Sequence, residues 1–338
     1  MRAYPWLIGL ALVTVLVAGC GGQSRARRAA TPDEPLTGPA EVKVTVEGWE
    51  SPSDLGVVAA KMGGLFEDVG RNIWVGVPAR PKRPVRYVSD GIDTFGVAQL
   101  PQVVIAREKG APIIAIGSLL SQPTTAMIWL KRSKIHALAD LKGKTIATSG
   151  LPYQKRFLAA VLARAGLSLE DVHLEPLGYD LVPALLSGKV DASFGGSWNL
   201  EGVTLAERGA NPVIRRVQSL GAPSYEELVV ITRRDLLAEK PDLVRDFMSA
   251  VRRGTATALE DPRAAVRFMK ETDETNPKDD AKVIEAELKA TLPLLSKTGR
   301  VDPGKADELV SWMYEQGMIQ RRLSASELLN NSYLTQRP

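Results

Sequence analysis

The chain of 338 residues carries 43 lysines and arginines against 39 aspartates and glutamates, which leaves a formal net charge of only +4. The two signs are interspersed, and this weak basic balance supports solubility and argues against a nucleic-acid-binding protein. With one cysteine and two histidines, the sequence excludes an internal disulfide and argues against a zinc or iron site built from side chains. No cofactor is predicted.

Residues 1–19 have the pattern of a bacterial export signal. Arg2 is followed by an apolar run from Trp6 to Gly19. This run is too short to cross a bilayer comfortably, which takes about 20 residues, but it suits the apolar part of a signal peptide. The small residues directly before Cys20 resemble a bacterial lipobox, which implies cleavage before Cys20 and attachment of lipid to its thiol. The alternative is an uncleaved amino-terminal anchor with an incidental cysteine.

Residues 20–40 are predicted to be a lipidated cysteine followed by a flexible tether. Gly, Ser, Arg, Pro and Thr dominate this segment, and it has almost no apolar periodicity. Its arginines could contact anionic lipid headgroups, although a solvated linker explains them equally well. About 300 residues remain beyond the tether, which is enough for two lobes with separate cores.

The segment that follows, residues 41–122, alternates strands with helices. The predicted strands are 42–46, 73–77, 94–98 and 113–119, and the predicted helices are 54–66 and 101–109. Strands that alternate with helices predict parallel pairing and an α/β sheet.

The same alternation resumes in residues 123–219, and a helical part ends the chain. The predicted strands are 126–130, 145–148, 173–176, 192–195 and, after this segment, 229–232. The predicted helices are 153–165 and 181–186, and then 242–259, 262–271, 278–292 and 303–316. A helical tail after two α/β segments indicates a discontinuous lobe: the chain leaves one lobe, builds the second and returns.

A Gly-rich strand-to-helix turn from Phe194 to Gly202 is the most informative motif. It carries the indole of Trp198 and the carboxylate of Glu201 three residues apart. A flat heterocycle with an amino group could stack on the indole and donate hydrogen bonds to the carboxylate. The structural alternatives are a tryptophan that packs a core or the two lobes, and a glutamate that favours the start of the following helix.

Five further residues are candidate ligand contacts. Trp49 ends the first strand, and Asp54 begins the next helix, where an N-cap is the alternative role. Tyr153 stands at a helix start whose free backbone N–H groups could hold an anionic group. Tyr225 and Glu226 belong to the segment Gly-Ala-Pro-Ser-Tyr-Glu-Glu-Leu, where Tyr225 could instead brace a hinge.

From about Val42 to Leu259, the chain resembles bacterial solute-binding proteins of ABC importers. The resemblance is to the branch related to thiamine pyrimidine synthase and to nitrate, sulfonate and riboflavin receptors. The pieces that carry it include Leu65–Glu67, Asp93–Val97, Asp140–Lys144, Gly188–Ala192, Trp198–Glu201 and Gly221–Leu228. It implies a two-lobed periplasmic-binding-protein-like (type II) fold with a discontinuous first lobe. The implied first lobe is 41–122 plus 220–338, the second is 123–219, and ligand lies in the cleft.

The resemblance also implies a function. The protein is expected to be a monomeric receptor outside the cytoplasm, lipid-anchored to the cell membrane, that catalyses nothing. It would deliver a pyrimidine-type thiamine precursor to an ABC permease. Riboflavin, an alkyl sulfonate or nitrate is the alternative cargo, and a pyrimidine synthase-like enzyme or a sensor domain is the alternative class.

The chain departs from the pyrimidine-binding relatives in two places. Those relatives carry Asn-x-x-His near the first strand-helix turn, where this chain has Ser51-Pro52-Ser53-Asp54. The cysteine-rich run of the fungal synthase is also missing from this sequence. The resemblance therefore implies a receptor more firmly than it implies a particular ligand.

Overall fold

The computed structural model describes residues 42–46, 51–76, 83–272 and 281–334. The predicted export signal, Cys20, the predicted tether and Trp49 lie outside these residues.

Two five-stranded sheets form the framework of the described chain. The strands are β1 (Val42–Thr45), β2 (Ile73–Gly76), β3 (Phe95–Gln99), β4 (Ile113–Ser118), β5 (Thr125–Leu130), β6 (Thr145–Thr148), β7 (His173–Pro176), β8 (Ala192–Ser197), β9 (Pro212–Arg216) and β10 (Leu228–Arg233). Their order is β2-β1-β3-β10-β4 in the first sheet and β7-β6-β8-β5-β9 in the second.

Helices cover the two sheets. They are α1 (Leu55–Met62), α2 (Leu65–Asp68), α3 (Arg83–Ser89), α4 (Leu100–Glu108), α5 (Pro152–Ala163), α6 (Leu181–Ser187), α7 (Glu201–Glu207), α8 (Leu236–Glu239), α9 (Pro241–Glu260), α10 (Pro262–Thr272), α11 (Ala281–Thr291), α12 (Pro303–Glu315) and α13 (Ala325–Leu328). Within the described ranges, no helix combines the length and apolar character that a membrane span requires.

Each sheet contains one strand that runs against its neighbours. In the first sheet β10 is antiparallel to β3 and β4, and in the second sheet β5 is antiparallel to β8 and β9. The expected parallel pairing is therefore correct for β1 with β2 and β3 but wrong for β5 and β10. Both exceptions arise because these strands enter their sheet directly from the other lobe, without a crossover helix that would reverse the chain.

The chain crosses between the two sheets twice. We call residues 119–124, between β4 and β5, the first crossing, and residues 217–227, between β9 and β10, the second crossing. The predicted two-lobed α/β fold with a discontinuous first lobe is thus confirmed. The exact lobe limits at 122/123 and 219/220 stay a prediction.

The first lobe depends on a close crossing between α1 and α9. A Cβ built on Gly254 would lie 2.4 Å from the carbonyl oxygen of Gly56, so the two helix backbones almost touch there. Next to this crossing, the rings of Phe95 and Phe247 stack with centroids 4.0 Å apart. Only glycine permits this approach, because any side chain at residue 254 would have to displace a backbone.

The carboxyl-terminal helices contact the second lobe on two sides. Thr204 of α7 donates to Glu287 of α11 at 2.5 Å. On the other side, the ring of Trp312 in α12 meets Phe157 of α5 edge-on at 4.7 Å. The carboxyl-terminal helices therefore hold the two lobes in contact with each other.

We predict that Gly254→Ala lowers the free energy of unfolding by about 1–3 kcal/mol, because the added methyl group overpacks the α1–α9 crossing. In an open helix the same change stabilises by roughly 0.5–1 kcal/mol, so the sign of the effect identifies the clash. Urea titration measures it. Thr257→Ala, on the exposed side of α9, is the control and should change stability by less than about 0.5 kcal/mol. A stabilised Gly254→Ala protein would contradict the close crossing.

Candidate functional site

A cavity of about 150 Å³ lies between the two lobes. Side chains from both sheets and from both crossings surround it. The lining residues are Ser51, Ser53, Asp54, Gln99, Thr124, Ser149, Leu151, Gly178, Tyr179, Gly195, Ser197, Leu200, Glu201, Glu227 and Leu228. Of the seven sequence-predicted contacts, the structure brings two to this lining, Asp54 and Glu201.

The helical turn before α1 brings Asp54 to the cavity. The Asp54 carboxylate accepts hydrogen bonds from the hydroxyl of Ser51 at 3.2 Å and from its backbone N–H at 3.5 Å. The hydroxyl of Ser51 in turn accepts the N–H of Ser53 at 3.2 Å. Asp54 therefore closes a helix start and lines the cavity at the same time, so the two roles considered for it are compatible.

The start of α5 is held by Gln154, which is fully buried. Its amide nitrogen donates to the hydroxyl of Ser149 at 2.6 Å and to the carbonyl of Gly195 at 3.4 Å. Gly195 has a φ of +96°, and a Cβ there would lie 2.2 Å from the Gln154 amide nitrogen. Glycine is thus required at this turn of the predicted motif, both for its backbone conformation and for the close approach.

Tyr153 is buried behind the cavity instead of lining it. Its hydroxyl donates to the side-chain oxygen of Gln99, which ends β3 in the first lobe. The hydroxyl also lies 3.4 Å from that of Thr125 at the start of β5. Tyr153 therefore joins the two lobes beneath the cavity.

Glu201 is the first residue of α7. One of its carboxylate oxygens accepts the backbone N–H of Ser197 at 2.7 Å. The other oxygen can accept a hydrogen bond from a ligand. Burial raises the pKa of the Glu201 carboxyl above its ordinary value, and the hydrogen bonds from its own backbone and from Ser197 only partly offset that rise.

Glu227 is the cavity carboxylate that sequence reasoning missed. One of its oxygens accepts the backbone N–H groups of Thr124 at 3.0 Å and Thr125 at 3.3 Å, and the other accepts the Thr125 hydroxyl at 2.9 Å. A residue of the second crossing thereby holds the end of the first crossing and the start of β5. Burial raises the pKa of this carboxyl, and its hydrogen bonds from Thr125 and Thr124 act in the opposite direction.

The two residues that precede Glu227, Tyr225 and Glu226, do not line the cavity. Tyr225 is fully buried, and burial followed by the nearby charge of Glu227 raises the pKa of its phenol well above the ordinary range. Glu226 faces away from the cavity and pairs with Lys305 of α12 at 3.1 Å. Alternate side chains of an extended chain point to opposite sides. By that rule Glu227 lies on the opposite side from Glu226, but the rule does not say which of the two sides faces the cleft.

Trp198 does not line the cavity. Its indole N–H donates to the carbonyl of Pro123 at 3.2 Å, and the guanidinium of Arg216 lies 3.7 Å from the ring centroid. The ring packs against the apolar cores of both lobes. These contacts match the lobe-packing alternative, and the stacking of ligand on Trp198 stays a prediction.

The described lining is acidic. Asp54, Glu201 and Glu227 contribute three carboxylates, and none of the lining residues in the described ranges is lysine, arginine or histidine. Tyr179 is the one aromatic side chain among them. Such a site can accept hydrogen bonds from N–H donors and stack one flat ring. Among the described residues, no group of His, Cys, Asp and Glu is arranged to hold a metal ion.

A comparison with protein families now identifies the chain's relatives. The family model described as NMT1/THI5 like matches residues 51–265, which include every cavity residue of the described chain. The chain belongs to this family. The predicted resemblance is confirmed at the level of the family.

Individual relatives fall into two groups by name. The formylaminopyrimidine-binding protein of Halalkalibacterium halodurans is 24% identical over 330 residues, which cover 96% of this chain and 98% of the relative. The 4-amino-5-hydroxymethyl-2-methylpyrimidine phosphate synthase of Schizosaccharomyces pombe is 27% identical over 231 residues, 65% of this chain and 66% of the enzyme. The proteins to which this chain is similar therefore include one named as a receptor and one named as an enzyme.

Solved structures confirm the architecture. The alkanesulfonate-binding protein SsuA of Xanthomonas axonopodis pv. citri superposes with a TM-score of 0.69 at 18% identity, over 88% of this chain and all of that chain. At this identity the likeness shows the fold alone. It is the periplasmic-binding-protein fold that the sequence predicted.

The raised pKa of Glu201 predicts a pH effect on stability. The folded protein retains this proton to a higher pH than the unfolded chain, so the associated stability is present at low pH and is lost as pH rises through the folded pKa. Glu201→Gln removes the titrating group. We expect the melting temperature of the ligand-free variant to fall less than that of the unaltered protein as pH rises from the ordinary value of 4.5. Thermal unfolding at a series of pH values measures this.

Glu260→Gln is the matched control because Glu260 is exposed at the end of α9. It should reproduce the pH profile of the unaltered protein. If the pH profiles of Glu201→Gln and the unaltered protein superimpose, the pKa of Glu201 is not raised in the folded protein.

Proposed function

We propose that the protein is the extracytoplasmic solute-binding component of an ABC importer and that it binds a pyrimidine-type thiamine precursor between its lobes. The single observation that carries this proposal is a small, carboxylate-lined cavity at the junction of the two lobes. Closure of such lobes around a ligand is a known hinge motion. The full-length match to a formylaminopyrimidine-binding protein supports the receptor role.

The size of the cavity favours a single ring. Its volume of about 150 Å³ equals that of an engineered protein cavity that holds one benzene molecule. Larger organic ligands generally occupy pockets of about 300–1,000 Å³. A space of this size suits a single pyrimidine ring better than the three fused rings and sugar-like chain of riboflavin.

The charge of the cavity favours an amine over an acid. Exocyclic amino groups and ring N–H groups donate to carboxylates, and charge-assisted hydrogen bonds of this kind are stronger than neutral ones. A sulfonate or nitrate would bring a negative charge next to Asp54, Glu201 and Glu227. The sulfonate named for the structural neighbour is therefore not the cargo that we propose here.

Export and anchoring belong to the same proposal. The apolar run from Trp6 to Gly19 and the small residues before Cys20 support a lipid-anchored receptor at the outer face of the cytoplasmic membrane or in the periplasm. A permease in that membrane would be its partner. Several acyl chains on Cys20 would hold the receptor close to the permease.

The proposal treats the protein as a receptor without catalysis, although some relatives are named as synthases. The cavity offers acceptors and one aromatic ring, and the sequence lacks the cysteine-rich run of the fungal synthase. Turnover of a pyrimidine or pyridoxal phosphate by the purified protein would favour the enzyme instead.

Isothermal titration with 4-amino-5-hydroxymethyl-2-methylpyrimidine tests the proposal. We expect binding by the unaltered protein and a loss of roughly 10- to 150-fold in Glu201→Gln, because a hydrogen bond to a charged group contributes about 1.5–3 kcal/mol. Glu260→Gln serves as the control and should retain full affinity. Tight binding of an alkyl sulfonate or of riboflavin, without binding of the pyrimidine, would reject the ligand.

The same titration assigns the stacking residue. Tyr179→Ala should weaken binding by about 1–3 kcal/mol if its ring faces the ligand, since base–aromatic stacking has this magnitude. Tyr179→Phe should retain affinity because it keeps the ring. Trp198→Ala weakens binding to a similar extent only if the predicted stacking on the indole is correct.

A further inference from the structure

We propose that the cleft selects the unphosphorylated pyrimidine and rejects its phosphate ester. This inference rests on the proposed function, because it specifies the substrate class of the same site. The observation that carries it is which groups of the chain itself lie at the helix starts around the cavity. Free N–H groups at a helix start are a ready-made phosphate site, so their use elsewhere determines whether a phosphate can bind.

The first helix start is occupied by side chains of its own turn. Asp54 and Ser51 form a capping box there. The carboxylate of Asp54 accepts the backbone N–H of Ser51 at 3.5 Å, and the hydroxyl of Ser51 accepts the N–H of Ser53 at 3.2 Å. A phosphate would meet a negative charge in place of donors.

The second helix start, at α5, was the one that the sequence suggested for an anion. The N–H of Gly150 donates to the hydroxyl of Thr148 at 3.3 Å, and the N–H of Leu151 donates to the side-chain oxygen of Gln154 at 3.3 Å. Pro152 begins the helix and has no N–H to offer. The N–H groups of Gly150 and Leu151, directly before α5, are therefore engaged within the chain.

The third helix start, at α7, holds the carboxylate of Glu201. This carboxylate accepts the N–H of Ser197 at 2.7 Å. The donor is the last residue of β8, so the carboxylate lies at the turn that joins β8 to α7 and brings a negative charge there. A negatively charged side chain is also the species that a helix N-terminus stabilises best, so an incoming anion gains nothing by replacing it.

Charge and space act in the same direction. A phosphate monoester carries about −1.5 to −2 charges at pH 7. Its neighbours would be Asp54, Glu201 and Glu227, with no lysine or arginine among the described lining residues to compensate. The cavity of about 150 Å³ matches the size of one small ring, so a phosphate group on that ring would have to extend beyond it. If the hydroxymethyl pyrimidine is the cargo, any phosphate ester of it that the cell needs must be made after uptake. The reaction that makes it must be a phosphoryl transfer.

Isothermal titration of the unaltered protein with 4-amino-5-hydroxymethyl-2-methylpyrimidine and with its phosphate ester tests this selection. We expect the ester to bind at least about 100-fold more weakly than the alcohol, because like charges placed together in an interface carry a large penalty. Binding of the ester as tight as that of the alcohol would overturn the inference and leave the proposed receptor function intact. A protein that binds neither compound would overturn the proposed function and, with it, the inference.

A charge variant tests the cause of the selection. Glu201→Gln removes one negative charge at the α7 start, so the ratio of the two dissociation constants should fall by about tenfold. Glu260→Gln, which alters an exposed residue outside the cavity, should leave the ratio unchanged. An unchanged ratio in a folded Glu201→Gln protein would show that this carboxylate does not exclude the ester. If Glu201→Gln does not fold, the ratio measured in the unaltered protein still decides the selection.

Discussion

The carboxylate of Glu227 is the interaction on which the cleft depends. It lies on the second crossing and accepts two backbone N–H groups and one hydroxyl at the junction of the first crossing with β5. Its backbone carbonyl also accepts the N–H of Leu100, at the start of α4, at 2.9 Å. One residue thus fixes both chain crossings relative to the first lobe and presents a carboxylate to the ligand space. Because a buried carboxylate is costly unless it is hydrogen-bonded, this network has to remain complete.

The two lobes use one topology twice, and this repetition places helix starts around the cavity. In each sheet the antiparallel strand comes from a crossing, so the carboxyl ends of the parallel strands and the helix starts that follow them face the cleft. A structural neighbour of the same fold is named for an alkanesulfonate, which is an anion. In this chain Asp54, Gln154 and Glu201 stand at helix starts around the cavity. In our proposal the fold supplies the cleft, and these residues select the charge of the ligand.

Most of the fold could be predicted from local sequence, and most of the contacts in the site could not. The alternation of strands and helices indicated two α/β lobes, and the motif with Trp198 and Glu201 marked a turn that lines the cavity through Glu201. The edge strand β9 was missed because only Val213 and Ile214 provide apolar character before two arginines. The placement of Trp198 against Arg216 and Pro123 is non-local, and no pattern near Trp198 in the sequence encodes it. Glu227 was passed over for Glu226, because the distant Lys305, which pairs with Glu226, cannot be found by spacing along the chain.

A crystal structure of the protein with 4-amino-5-hydroxymethyl-2-methylpyrimidine tests the central claim most directly. The account predicts one ring between the lobes, with its exocyclic amino nitrogen about 2.7–3.2 Å from a carboxylate oxygen of Glu201 or Glu227. A ring bound outside the cleft, or one inside it whose amino group contacts neither carboxylate, would contradict the account.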